Sequence, residues 1–136
     1  SEMCIRDSLW SVHCVAGTRG AAFSSALLSD KADAIVRKGI RRDCDSYSGF
    51  MEADRVRKTG LAGYLKERGV TFVAVCGLAT DFCVSWTALD AAASGFKTVV
   101  VTDASRAIDV AGSLAAARSA WKKAQVGEVT VSELLN

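Results

Sequence analysis

Val75-Cys76-Gly77-Leu78-Ala79-Thr80-Asp81-Phe82-Cys83-Val84 reads as the end of an apolar strand, a glycine-containing turn and the opening of a helix that carries a thiol. The first turn of a helix leaves backbone N–H groups unpaired and sits at the positive end of the helix dipole. Both features stabilise a thiolate and can cradle a developing oxyanion. On this placement Cys83 is the candidate nucleophile. Cys4, Cys14, Cys44 and Cys76 follow no comparable turn and read as inert packing or loop residues.

Working outward, residues 70–76 are the strand that feeds this turn. Residues 82–94 are its helix, with Phe82, Trp86, Leu89 and Ala93 on one face and Gly95 as the stop. Residues 97–102 return to strand. Upstream, residues 34–40 read as a strand and 60–69 as a helix stopped by glycine. Downstream, 109–123 is a helix anchored by Leu114 and Trp121, and 128–131 is a last short strand. Alternation of strand and helix predicts an α/β fold with a mainly parallel sheet covered by helices on both faces, and such sheets place their sites at the carboxyl ends of strands. Cys83 lies just past such an end.

Composition bounds the function. The chain has 136 residues, half of them apolar, which is enough for one globular domain. Its 17 basic and 15 acidic residues leave a formal charge of +2, so nucleic acid is not an expected partner. Apolar runs fall far short of the roughly 20 residues a membrane span requires, and no membrane partner is expected. Five cysteines at irregular spacings are expected to be thiols in a reducing compartment, the cytoplasm. A single histidine excludes a zinc finger or a His-Glu-x-x-His site, and no Gly-x-Ser-x-Gly elbow is present.

Several ordered segments carry a family resemblance. They are Trp10-Ser11-Val12-His13-Cys14-Val15-Ala16-Gly17-Thr18, Arg37-Lys38-Gly39, Asp45-Ser46-Tyr47-Ser48-Gly49-Phe50, Gly60-Leu61-Ala62-Gly63-Tyr64-Leu65 and the strand-turn-helix segment itself. Trp86-Thr87-Ala88-Leu89-Asp90-Ala91, Asp103-Ala104-Ser105-Arg106-Ala107-Ile108-Asp109 and Gly112-Ser113-Leu114-Ala115-Ala116-Ala117 continue it. Together they resemble the nicotinamidases, a group of isochorismatase-like cysteine hydrolases. The resemblance implies a three-layer α/β/α fold and hydrolysis of nicotinamide, or a related small amide, to the acid and ammonia, in salvage of NAD.

The resemblance also implies roles, position by position. Cys83 matches the nucleophile, which forms a thioester that water hydrolyses. Lys38 matches a catalytic lysine whose ammonium would favour the thiolate and steady the anionic intermediate. A cis peptide is implied between Leu78 and Ala79, with the N–H groups of Ala79 and Cys83 as the oxyanion hole. Trp10, Tyr47 and Phe82 match the wall of the substrate pocket, and plain core packing is an equal alternative for Phe82. His13 matches one ligand of a divalent metal ion (zinc, iron or manganese) that holds the substrate's pyridine nitrogen. Asp81 is expected to cap its own helix, and Asp103 and Asp109 to be structural.

One departure weighs against activity of the chain as written. The resemblance places a first strand ending in a catalytic aspartate, and most metal ligands, upstream of this sequence. Residues 1–8 do not read like the family and are expected to be non-native, leaving 9–136 as a partial hydrolase domain. A positioned general base contributes about 10² to 10⁴-fold, so these 136 residues alone are expected to be nearly inactive. A homo-oligomer is compatible with this reading. Two alternatives stand beside it: a sister cysteine amidase with another substrate, and a catalytically dead binding or oligomerisation module.

Overall fold

The structure, a computed structural model, describes residues 10–136; the expectation for residues 1–8 and the packing of Cys4 lie outside the described residues. Its elements are α1 (Leu61–Glu67), β1 (Phe72–Leu78), a π-helical turn (Thr80–Val84), α2 (Ser85–Ala93), β2 (Lys97–Arg106), α3 (Ser113–Lys123), β3 (Gly127–Val129) and α4 (Val131–Leu135). Two single 3-10 turns, Arg19–Ala21 and Ser29–Lys31, punctuate the segment before α1.

The three strands run parallel in the order β1-β2-β3, as alternation with helices requires, because a parallel return needs a crossover. Helices α2 and α3 close a core of Val75, Val84, Ala88, Val100, Ala117, Trp121 and Val126 against the sheet. A second cluster joins Phe50, Ala91 and Phe96 to the apolar side of α1. No helix among the described residues is long and apolar enough to cross a membrane.

The first three helices end alike. The Val70 amide donates to the Leu65 carbonyl, that of Phe96 to Ala91, and that of Val126 to Trp121. In each case the residue before the donor is left-handed: Gly69 at φ 69°, Gly95 at φ 93° and Gln125 at φ 59°. This is the Schellman closure, and it aims the chain back into the next strand with an apolar residue at the turn's exit.

Four expectations are corrected. Residues 34–40 form no strand: they pair with no ladder among the described residues, and Ile35 and Ile40 stay exposed. An apolar run is a strand only where a neighbour takes its hydrogen bonds. The last helix of the α/β repeat starts at Ser113 instead of Asp109, because Asp109, Ala111 and Gly112 all have positive φ. Val131 leaves β3 to open α4, where Thr130 and Glu133 form a reciprocal capping box. From the π-turn into α2 the buried apolar stripe is Val84, Ala88 and Ala91, while Trp86 is 39% exposed; of the expected face, Leu89 packs against the core.

The sheet is irregular where the site forms. Phe72 to Val75 lie opposite Lys97 to Val100, after which the register jumps so that Gly77 faces Ser105. The Ser105 hydroxyl fills the gap, accepting from the Gly77 amide at 3.2 Å and donating to the Val101 carbonyl at 2.8 Å. A bulge of this kind bends the strand ends and re-aims the residues beyond them.

Candidate active site

The peptide between Leu78 and Ala79 is cis. Beyond it the Ala79 carbonyl accepts from the amides of Phe82 and Val84, each at 3.1 Å, which winds the chain into one wide turn before α2 begins. Cys83 therefore sits in a π-helical turn and not in the first α-turn. Such turns are uncommon and concentrate at functional sites.

Asp81 is held differently from the expected cap. Within its own turn it meets only its own amide, and it reaches across to the segment before α3. There it takes the Ile108 amide at 3.0 Å, the Asp109 amide at 2.7 Å and the Ser113 hydroxyl at 2.5 Å. Burial pushes its carboxyl up, but the Ser113 hydroxyl and the Ile108 and Asp109 amides more than reverse this and hold it below the ordinary 3.8. An N-cap needs extended backbone just outside the helix; here that position belongs to Ala79, whose side chain cannot cap. Asp103 and Asp109 are structural as expected, accepting the amides of Val131 and Leu114.

Lys38 comes to Cys83 from a distant part of the chain. Its Nζ lies 3.6 Å from Cys83 Sγ and donates to the Ser46 carbonyl at 2.8 Å. Both residues line a cleft of about 720 Å³ at the carboxyl end of β1. Trp10, Tyr47 and Phe82 line the same cleft. The Trp10 ring stands edge-on to Phe82 at 5.2 Å and its indole N–H donates to the Tyr47 hydroxyl at 3.3 Å. Aromatic rings meeting edge to face at this distance attract one another and give the cleft an apolar wall. Ala79 also lines the cleft.

His13 lies at the cleft with its Nδ1 2.7 Å from the Ser11 carbonyl, which leaves Nε2 for a ligand. One imidazole is not a metal centre, and no group of three or more His, Cys, Asp or Glu side chains among the described residues is placed to hold an ion.

Sequence reasoning does not single out Asp45, Cys14, Arg106 and Ile108 as cleft residues, yet all four line it. Arg106 has a legible signal, since it ends β2, the strand beside β1, and sites gather at the ends of adjacent parallel strands. Cys14 and Cys76 are exposed and Cys44 is buried.

Comparison with known proteins places this geometry. The Isochorismatase domain family matches residues 4–133. A curated nicotinamidase of Acinetobacter baylyi is 54% identical over 115 residues, covering 85% of this chain and 52% of that protein. The chain thus spans about half the length of the curated relatives it matches. Among solved structures, an Acinetobacter baumanii nicotinamidase and pyrazinamidase superposes with a TM-score of 0.90 at 50% identity, covering 93% of this chain and 61% of that one. PnC1 from L. infantum, solved with nicotinate, gives 0.85 at 40% identity, covering 90% and 61%. The pyrazinamidase of Pyrococcus horikoshii, solved with zinc, gives 0.74 at 35% identity, covering 89% and 63%.

Proposed function

Since the chain belongs to the isochorismatase family, we propose that it carries the nucleophile, the lysine and the aromatic pocket of a cysteine amidase that hydrolyses nicotinamide to nicotinate and ammonia. The observation that carries the proposal is the contact of Lys38 Nζ with Cys83 Sγ at 3.6 Å in a cleft walled by Trp10, Tyr47 and Phe82. An apolar aromatic wall suits a pyridine ring, and a thiol beside an ammonium suits attack on its amide carbon.

In this reading the Cys83 sulfur adds to the carboxamide carbon, and the C=O electrons move onto oxygen. The oxyanion is received by the N–H groups of Ala79 and Cys83, with the Lys38 ammonium close by. Removal of one such donor typically costs about 3 kcal/mol of barrier. The oxyanion's electrons then re-form the C=O as the C–N bond breaks, the nitrogen takes up the proton first removed from the thiol and leaves as ammonia, and water hydrolyses the thioester to the acid, freeing the thiol. The reading assigns the base that takes the thiol proton and activates water to an aspartate outside these residues, in the complete protein. His13 would give one imidazole to a divalent ion that orients the pyridine nitrogen, and the bound zinc of the Pyrococcus horikoshii neighbour supports that part. The reaction belongs to NAD salvage in the cytoplasm.

The test uses the complete protein that carries this chain. Cys83→Ala abolishes ammonia release from nicotinamide while circular dichroism stays that of the parent. Undiminished release removes Cys83 as nucleophile, and a parent protein that releases none points to the binding-module alternative.

A further inference from the structure

Three residues outside the cleft, Arg55, Asp90 and Trp86, are coupled to its wall. Arg55 sits at the tip of a turn closed by the Met51 and Lys58 bridge, at φ 60°, a backbone position that side chains rarely adopt. Its guanidinium makes a two-pronged contact with Asp90 of α2, at 3.0 and 2.6 Å. Only 9% of the Asp90 side chain is exposed, so this is a fixed anchor and not a loose surface pair. The same guanidinium lies over the Trp86 ring, 5.6 Å from its centroid. Trp86 in turn lies against Tyr47, with centroids 5.7 Å apart and planes tilted by 30°. Tyr47 meets Phe82 at 6.3 Å and takes the Trp10 hydrogen bond.

The geometry points to Arg55 as a positioning residue that sets the aromatic wall through Trp86 and Tyr47, and so sets the cleft's preference for a planar ring attached to the reacting carbonyl. The inference deepens the proposed function, on which its choice of a pyridine-like ring rests. Neither Arg55 nor Trp86 lines the cleft. The arrangement is directional: Asp90 fixes the guanidinium, the guanidinium fixes one face of Trp86, and Trp86 limits how far Tyr47 can swing away from the substrate plane. An arginine suits this task because its flat cation stacks on a ring while its fork stays bound to a carboxylate, which a lysine cannot do.

The experiment compares two reagents with the same leaving group, 2-chloroacetophenone, whose ring is attached to the carbonyl, and chloroacetone, which has no ring, reading modification of the Cys83 peptide by mass spectrometry in the complete protein. The ratio of their rates, divided by the ratio for glutathione, reports ring recognition and cancels the reactivity of the thiol. The parent is expected to favour the phenyl reagent by about tenfold. Arg55→Lys lowers that preference about threefold, and so does Asp90→Asn, which frees the same guanidinium. In a Tyr47→Ala background Arg55→Lys changes the ratio by less than about 1.5-fold, because the residue it acts through is gone.

An unchanged ratio in Arg55→Lys and Asp90→Asn overturns the assignment. So does an equal drop with and without Tyr47, and so does a drop that merely tracks loss of the folded circular dichroism signal, since Arg55 would then only hold its turn. The ratio does not depend on hydrolysis. A parent protein that shows the pattern yet releases no ammonia from nicotinamide sinks the proposed reaction and keeps the positioning role.

Discussion

Lys38 Nζ stands 3.6 Å from Cys83 Sγ while donating to the Ser46 carbonyl at 2.8 Å. The carbonyl is what makes the first distance useful. A lysine that donates to one neutral acceptor has N–H groups to spare for a second partner, whereas a lysine paired with a carboxylate would have its field weakened at the sulfur. Among the described residues no carboxylate forms an ion pair with Lys38, and its amine stands beside the thiol.

Replacing Lys38 with methionine keeps most of the side chain's bulk and removes the charge. Alkylation of Cys83 by iodoacetamide near neutral pH is expected to slow about tenfold, since a neighbouring positive charge favours the reactive thiolate, while Cys14 and Cys76, both exposed, keep their rates. Peptide-resolved labelling with mass spectrometry measures all three in one sample. An unaltered Cys83 rate would remove the lysine from the chemistry.

Asp81 ties the π-turn carrying Cys83 to the segment 106–113 on the cleft's far side, and its charge state should govern that tie. Its carboxyl ionises below the ordinary 3.8: burial opposes ionisation, and the Ser113 hydroxyl with the Ile108 and Asp109 amides outweighs it. A depressed value means stability that is complete above the unfolded carboxylate range and is lost as pH falls from there through the folded value. Urea melts of the parent should therefore weaken below about pH 4. Asp81→Asn should flatten that part of the profile and cost about 1 to 3 kcal/mol at neutral pH, because an amide carries no charge and cannot accept three donors as well. A variant with the parent's acid profile would show that other carboxylates set it.

How much of this is legible in the sequence depends on whether the signal is local. Gly69 and Gly95 mark the ends of α1 and α2 because their left-handed backbone is easiest for glycine. The same closure after α3 uses Gln125, which no propensity announces. The strand-turn-helix around Cys83 is readable from its apolar run and its glycine, and Lys38 is readable through resemblance alone. Its neighbours carry no motif that points 45 residues ahead to a sulfur. Residues 34–40 look like a strand because periodicity reports side-chain character and is silent about the pairing partner. The role of Asp81 escapes the sequence because a capping residue and a long-range tether use the same side chain, and only the fold says which amides come within reach.

A buried hydrogen bond ties α3 to the start of α2, next to the π-turn. Trp121 is 1% exposed and its indole N–H donates to the Ser85 hydroxyl at 2.9 Å, with Ser85 itself 3% exposed at the first position of α2. Ser85→Ala strands a buried N–H and is expected to cost about 1 to 3 kcal/mol. Trp121→Phe removes the donor and part of the ring, leaving a void as well as an unpaired hydroxyl, and is expected to cost about 3 kcal/mol. In the double variant nothing polar is left stranded at this contact. Its cost should therefore fall short of the sum of the two single costs by about 1 kcal/mol or more. Urea unfolding followed by circular dichroism, with unchanged slopes across the four proteins, measures the difference. Strict additivity would mean that the indole and the hydroxyl are neighbours whose contact does not stabilise the fold.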